Sequence, residues 1–300
     1  MQRRIYPQFI PLASLLFLGM ASTFSAVTPQ AYGAKGDGMT DDTRAFQSAL
    51  KAGDLLVPPA TYMINGDIEV PSYRHVQCQP GANLHTTRHD GNESGVITFN
   101  AVSYSSVVGC TITGSNTAAV PVLDSNQWNY LVWVKGSSHN IVINGNTLKN
   151  SWANSALHID GNEGSPNIPS TDILVTYNNF ESNAYYGLAI ISANNVQVVL
   201  NHFVDSSVGS EVNKNTDQNT DNSYSYNSIR SVAGNHANCR HCSRGVFLTG
   251  GAAGPDTFSY RGNIVSDNVV EGSNTYIYKE WGGGSASYTD NRCINGCREQ

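Results

Sequence analysis

One short pattern recurs through this chain and restricts its fold more than any other feature. A β-branched run is followed by a residue, an asparagine, another residue and a hydrophobe. The copies are Gly145-Asn146-Thr147-Leu148, Tyr177-Asn178-Asn179-Phe180, Leu200-Asn201-His202-Phe203, Tyr226-Asn227-Ser228-Ile229, Asp267-Asn268-Val269-Val270 and Asp290-Asn291-Arg292-Cys293. The steps between asparagines are 32, 23, 26, 41 and 23 residues. They fit a unit of about 23 residues with insertions, the mark of a stacked repeat protein. Asparagine tolerates left-handed turns, and stacked asparagine amides can bond to one another from coil to coil. A weaker copy, Val108-Gly109-Cys110-Thr111-Ile112, puts Cys110 in the asparagine place. A unit of this length holds three short strands and buries its aliphatic face only by stacking on its neighbours. Ile141, Ile143, Ile173, Val175, Val196 and Val198 are expected to form one wall of that core. An antiparallel sandwich also spaces its strands evenly. It leaves the fixed asparagine unexplained.

A second strand repeats with strict alternation, so its two faces can be assigned. Val132/Val134, Leu157/Ile159, Leu188/Ile190, Ser210/Val212, Val246/Leu248 and Thr275/Ile277 are read as inward. Outward stand Trp133/Lys135, His158/Asp160, Ala189/Ile191, Glu211/Asn213, Phe247/Thr249 and Tyr276/Tyr278. With coils ~4.8 Å apart, this makes an exterior strip about 25 Å long carrying acid, base, cation and aromatic rings. Such a strip suits an extended sugar polymer. The insertions at 162–171 and 231–243 are placed to wall a groove beside it.

Bulk composition narrows the function classes. The first 26 residues read as a secretory signal: Arg3 and Arg4, an apolar run from Phe9 to Met20, then small residues ending at Ala26. That run is shorter than the ~20 residues of a membrane span. A secreted or periplasmic protein is expected, with residues 27–300 forming one domain and no membrane partner. The net charge of −6 argues against a nucleic-acid partner. Six cysteines suit an oxidising compartment, and their spacing pairs Cys78 with Cys110, Cys239 with Cys242 and Cys293 with Cys297. Cys239 and Cys242 with His236 have a zinc knot as the alternative. The oxygen-rich loop 213–222 is a candidate Ca²⁺ site, although its spacing matches no EF-hand; no other cofactor or metal is expected. A stacked coil closed at its end by a disulfide is expected to be a monomer.

The N-terminal segment completes the reading. Ala31-Tyr32-Gly33-Ala34-Lys35-Gly36-Asp37-Gly38-Met39-Thr40-Asp41-Asp42-Thr43 is a glycine-rich turn leading to two acidic residues at a helix start. Their carboxylates can accept from the first free N–H groups. Phe46, Ala49 and Leu50 make one apolar helix face, Gly53 ends the helix, and 55–62 follows as a strand with a proline corner. Residues 31–62 resemble the N-terminal cap of the pectate-lyase-like superfamily. The resemblance implies an all-β fold, a single-stranded right-handed parallel β-helix (β-solenoid) plugged by a capping helix.

Within that superfamily, Ala156-Leu157-His158-Ile159-Asp160-Gly161 is similar to the strand that carries the catalytic Asp and His of the alginate C5-epimerase and lyase branch, with the two exchanged in order. The expected activity is therefore a polysaccharide lyase acting on a uronate polymer of the alginate or pectate kind. In this scheme Lys135 or Arg244 neutralises the C6 carboxylate, His158 is the base because its pKa lies near neutrality, Asp160 orients it and Tyr186 donates the proton. Returning the proton to the opposite face would make the same site an epimerase. Two alternatives stand beside it: an inverting glycoside hydrolase using Asp160 and Glu211, and a non-catalytic carbohydrate-binding rod. Trp133, Tyr186, Arg244, Phe247 and Tyr276 are the expected substrate-binding residues.

Overall fold

A computed structural model describes residues 26–116, 128–152, 155–162, 168–183, 186–210, 212, 218–230, 246–248, 260–272, 278–279, 286–295 and 297. The chain winds as a right-handed coil of parallel strands, the hand that successive parallel strands adopt. Its three long sheets contain ten, nine and eight strands among the described residues, and every pairing in them is parallel. The ten-stranded sheet runs from Asp37–Asp41 to Arg292–Ile294, and the nine-stranded sheet from Leu55–Val57 to Ala286–Thr289. The eight-stranded sheet, from Ile68–Glu69 to Tyr278–Lys279, carries the expected functional strip.

Asparagine sets the coil spacing. The side-chain amide of Asn146 donates to Oδ1 of Asn178 at 3.0 Å, and the chain of amides continues through Asn201, Asn227 and Asn268 to Asn291 at 2.9–3.1 Å. At its lower end the Cys110 backbone N–H donates to Asn146 Oδ1 at 2.9 Å, so Cys110 does occupy the asparagine place. The asparagines themselves are not left-handed. That conformation falls on the preceding residue: Gly145, Tyr177, Leu200, Tyr226, Asp267 and Asp290 all have φ between 54° and 65°. Two residues past each asparagine, the repeat hydrophobes Leu148, Phe180, Phe203, Ile229 and Val270 stack inside the coil, fully buried. The rings of Phe180 and Phe203 stack with centroids 4.5 Å apart and planes 3° from parallel. Ile141, Ile143, Ile173, Val175, Val196 and Val198 form the neighbouring wall, also buried. Each such side chain contributes roughly 1.5–3 kcal/mol on burial, and only stacking removes it from water.

The open end is plugged by α1 (Thr43–Ala52), whose buried face is Ala45, Phe46, Ala49 and Leu50. Asp41 caps it: Oδ1 accepts from the Thr43 backbone N–H at 3.1 Å. Asp42 departs from the expectation. Its carboxylate turns back to accept from the Lys35 and Gly36 N–H groups at 2.6 and 3.0 Å, which fastens the glycine turn instead of the helix. Cys78–Cys110 and Cys293–Cys297 are bonded as expected; Cys239 and Cys242 lie outside the described residues. Of the stretch expected to be a leader, residues 1–26, only Ala26 is described. Among the described residues, no helix is long and apolar enough to cross a membrane.

Candidate active site

The eight-stranded sheet sets the outward residues in rows. Thr98, Trp133, His158, Ala189 and Gly209 stand opposite one another on successive strands, followed in register by Phe247 and Lys279. Lys135 pairs with Asn100 in the adjoining row, and Asp160 directly follows the strand Ser155–Ile159. The expected union of Trp133, Lys135, His158 and Asp160 therefore holds. Above it the reading slips by two residues. Val208 and Ser210, not Ser210 and Val212, pair with Leu188 and Ile190, and Gly209 takes the place expected for Glu211. Farther along, Tyr278 pairs with Val246 and Lys279 with Phe247, three residues beyond the Thr275 and Tyr276 expected there. Glu211, Arg244 and Tyr276 lie outside the described residues, as does the Phe247 side chain.

At the start of each strand the alternation breaks. Leu131 and Ala156 turn into the core, and a Cβ on Gly187 would meet Phe180 and Phe203. The residue before each of them turns outward: Tyr130, Ser155 and Tyr186. The rings of Tyr130 and Tyr186 then lie over the outward rows. Tyr130 covers His158, with centroids 4.4 Å apart and planes 15° from parallel. Tyr186 packs on Ala189 and Ile191 and over Gly209, where a Cβ would come within 2.9–3.1 Å of its ring. Small residues at 189 and 209 thus make room for Tyr186. It is 4% exposed and stands away from the cleft described below, so the ring beside His158 is that of Tyr130 and not of Tyr186.

His158 faces outward yet is only 5% exposed. Its Nδ1 lies 3.0 Å from Ser155 Oγ, and its Nε2 lies 4.0 Å from Asp160 Oδ2. Burial pushes its pKa down to about 3, because the charged imidazolium loses its water. The premise of a near-neutral titrating base therefore does not hold; His158 is a neutral imidazole at ordinary pH.

Beside it opens a cleft of about 290 Å³, lined by Trp133, Lys135, Asp160, Glu93, Asn100 and Asn162 among others. Lys135 Nζ stands 3.5 Å from the Trp133 ring centroid, a cation–π contact that holds the ammonium at the cleft wall. Asp160 Oδ1 accepts from the Gly161 N–H at 2.6 Å, which fixes the carboxylate. His158 itself does not line the cleft. Sequence reading missed Tyr130, Glu93, Asn100 and Asn162. For Tyr130 a signal existed: it precedes Trp133 by three residues, as Ser155 precedes His158 and Tyr186 precedes Ala189.

The Ca²⁺ expectation weakens where the loop is described. Asn219 and Asn222 turn inward: their Oδ1 atoms accept from Ala193 and Val196 N–H, and their amides donate to Ile190 and Ala193 carbonyls. The remainder, 213–217, lies outside the described residues. Among the described residues, no group of three or more His, Cys, Asp or Glu is placed to hold a metal.

Comparison with known proteins locates the fold. No family model matches the chain. A 47-residue stretch is 49% identical to the pre-neck appendage protein of Bacillus phage phi29, spanning 15% of this chain but only 6% of that one. Among solved structures, an iota-carrageenase complexed to iota-carrageenan fragments superposes with a TM-score of 0.63 at 16% identity, over 86% of this chain and 59% of that one. The Agl-KA catalytic domain superposes with a TM-score of 0.60 at 14% identity, over 90% of this chain and 48% of that one. At such identities the likeness is one of architecture, and the chain has a right-handed parallel β-helix fold.

Proposed function

We propose that this chain is an exported enzyme that cleaves an extended acidic polysaccharide in the cleft beside Trp133 and Lys135. The observation behind the reading is the convergence of two carboxylates, Asp160 and Glu93, one cation, Lys135, and one aromatic ring, Trp133, on a single cleft of a rigid coil. Lys135 suits a carboxylate or sulfate on the sugar, and the ring suits its apolar face. The name of the iota-carrageenase with bound fragments is in keeping with a polysaccharide substrate on this fold.

Hydrolysis fits the cleft best. One carboxyl group protonates the glycosidic oxygen as the C1–O bond breaks, and the other carboxylate takes a proton from the water that adds to C1. Asp160 and Glu93 are the pair that face the cleft. His158, neutral and sheltered, acts behind Asp160 as a positioning residue.

β-Elimination, the reaction expected from sequence, is the second reading, and Lys135 favours it. The ammonium would neutralise a C6 carboxylate, unprotonated His158 would take the C5 proton, and Tyr130 would return a proton to the departing O4. This route needs Tyr130 to uncover His158. Returning the proton to C5 instead would epimerise the sugar.

The deciding experiment incubates the mature protein with alginate, pectate, sulfated galactans and neutral glucans, following reducing ends and ultraviolet absorbance together. Reducing ends without absorbance support hydrolysis, and both signals rising support elimination. If acidic polymers are retarded in affinity gels but never cleaved, the protein is a binding rod and the enzymatic reading is wrong.

A further inference from the structure

The loop at 90–93 brings Glu93 to the cleft, and one buried side chain of the next coil holds that loop. Of residues 88–94, Glu93 alone lines the cleft. It immediately precedes the strand Ser94–Asn100, and Asp90, Asn92 and Glu93 are all exposed. An exposed acid at a loop end is free to take many conformations unless its backbone is tied down.

Asn129 supplies the tie. It opens the strand Asn129–Lys135, stands opposite Ser94 and is only 4% exposed. Its Nδ2 lies 2.8 Å from the Asn92 carbonyl oxygen, 2.8 Å from Ser94 Oγ and 2.9 Å from Asp90 Oδ1. Its Oδ1 accepts from the Asp90 backbone N–H at 3.1 Å. Both ends of the amide are thus engaged by one loop, and the residues on either side of Glu93 are tied to the same nitrogen. Asp90 closes the loop further. Its Oδ1 accepts from the Asn92 N–H at 3.0 Å, and its Oδ2 accepts from Arg88 Nε at 3.0 Å. Arg88 reaches on to Asp67, on the coil below, at 3.1 Å.

We infer that Asn129 is a positioning residue for Glu93: from the strand that also delivers Trp133 and Lys135, its amide fixes where the Glu93 carboxyl group stands against Asp160. This role rests on the hydrolytic reading above, in which those two carboxyl groups are acid and base. That chemistry depends on the gap between them, because a water must fit beside one and the leaving oxygen beside the other. A displacement of about 1 Å can cost on the order of 10²-fold in rate.

The test has two arms. Hydrogen–deuterium exchange of the whole mature chain reads the loop without any substrate. In Asn129→Ala the Asp90 and Asn92 amides should exchange faster than in the wild type, while the amides of the core strands keep their protection. Steady-state kinetics on a polymer that the wild type cleaves reads the carboxyl group. Asn129→Ala should lower kcat by about 10²-fold with little change in KM. Asn129→Asp keeps the shape but loses both N–H donors, and should do the same. In a Glu93→Gln background Asn129→Ala should cost almost nothing more, whereas a merely structural role would slow both backgrounds alike. Ser94→Ala cuts one of the three ties. It should show a smaller loss in the same direction, and it keeps the test readable if Asn129→Ala does not fold. Unchanged exchange at Asp90 and Asn92, folded Asn129 variants with wild-type kcat, or losses that add to that of Glu93→Gln overturn the inference and leave Asp160 and Glu93 as the acting pair. Glu93→Gln with full kcat, or a wild type that cleaves no polymer, overturns the pair itself and the inference with it.

Discussion

The imidazole of His158 lies flat beneath the ring of Tyr130, with 4.4 Å between centroids and 15° between planes. The two residues come from neighbouring coils, and the phenol covers an outward position that would otherwise be wet. That cover, with Ser155 on Nδ1, converts a surface histidine into a buried neutral one.

A pH signature follows. The folded pKa of about 3 lies below the ordinary 6.5, so between these values the unfolded chain binds more protons at this site than the folded one. Stability therefore falls on acidification from about pH 6.5 towards 3 and is independent of this group above about pH 7. The slope is at most ~1.4 kcal/mol per pH unit. His158→Gln should flatten that part of the thermal-midpoint profile; parallel profiles for the two proteins would reject a buried, neutral His158. His158→Ala should cost about 2–3 kcal/mol through the cavity it leaves.

Asp160 and Lys135 should separate kinetically. Asp160→Asn is expected to lower kcat by about 10²–10⁴-fold, the scale of a lost acid or base, with little change in KM. Lys135→Ala should chiefly raise KM on acidic polymers, and less so at high salt, where exposed charges are screened. Steady-state kinetics on one acidic polymer at two ionic strengths would read both. An Asp160→Asn enzyme with full kcat would move the chemistry elsewhere.

The asparagine ladder should be brittle at its middle. Asn201→Ala removes the acceptor of the Asn178 backbone and side-chain N–H groups, 2.9 and 3.0 Å away, and leaves both buried donors unsatisfied. A loss of about 2–4 kcal/mol is expected in urea unfolding. A loss under about 0.5 kcal/mol, the scale of an ordinary surface substitution, would show that the ladder only decorates the core.

Gly209 should resist enlargement. Gly209→Val places atoms where the Tyr186 ring now lies and should destabilise by about 1–3 kcal/mol. Gly209→Val with Tyr186→Ala should recover part of that loss. Strict additivity in the double-mutant cycle would mean that the two positions do not touch.

Reducing Cys78–Cys110, which spans 32 residues, should lower stability by about 3–4 kcal/mol on the chain-entropy account. A Cys78→Ala, Cys110→Ala variant with an unchanged midpoint would assign the stability to the stacked coils alone.

Periodicity alone determined the coil. A repeated asparagine, a buried hydrophobe two places on and alternating strands are local features, and each dictates the same winding because a strand has only two faces. It also brought Trp133, Lys135, His158 and Asp160 together, since all four follow one alternation on neighbouring strands. Tertiary structure decided three other things. The two-residue slip at Val208–Ser210 moved Gly209 into the outward row, because either register keeps buried residues on the same face and alternation cannot tell them apart. The side chain of Asp42 was drawn to Lys35 and Gly36 rather than to the helix, a competition between donors that only the folded turn resolves. The state of His158 was set by Tyr130, a ring from the neighbouring coil. Burial depends on what a neighbour lays over a residue, and no pattern within its own strand records that.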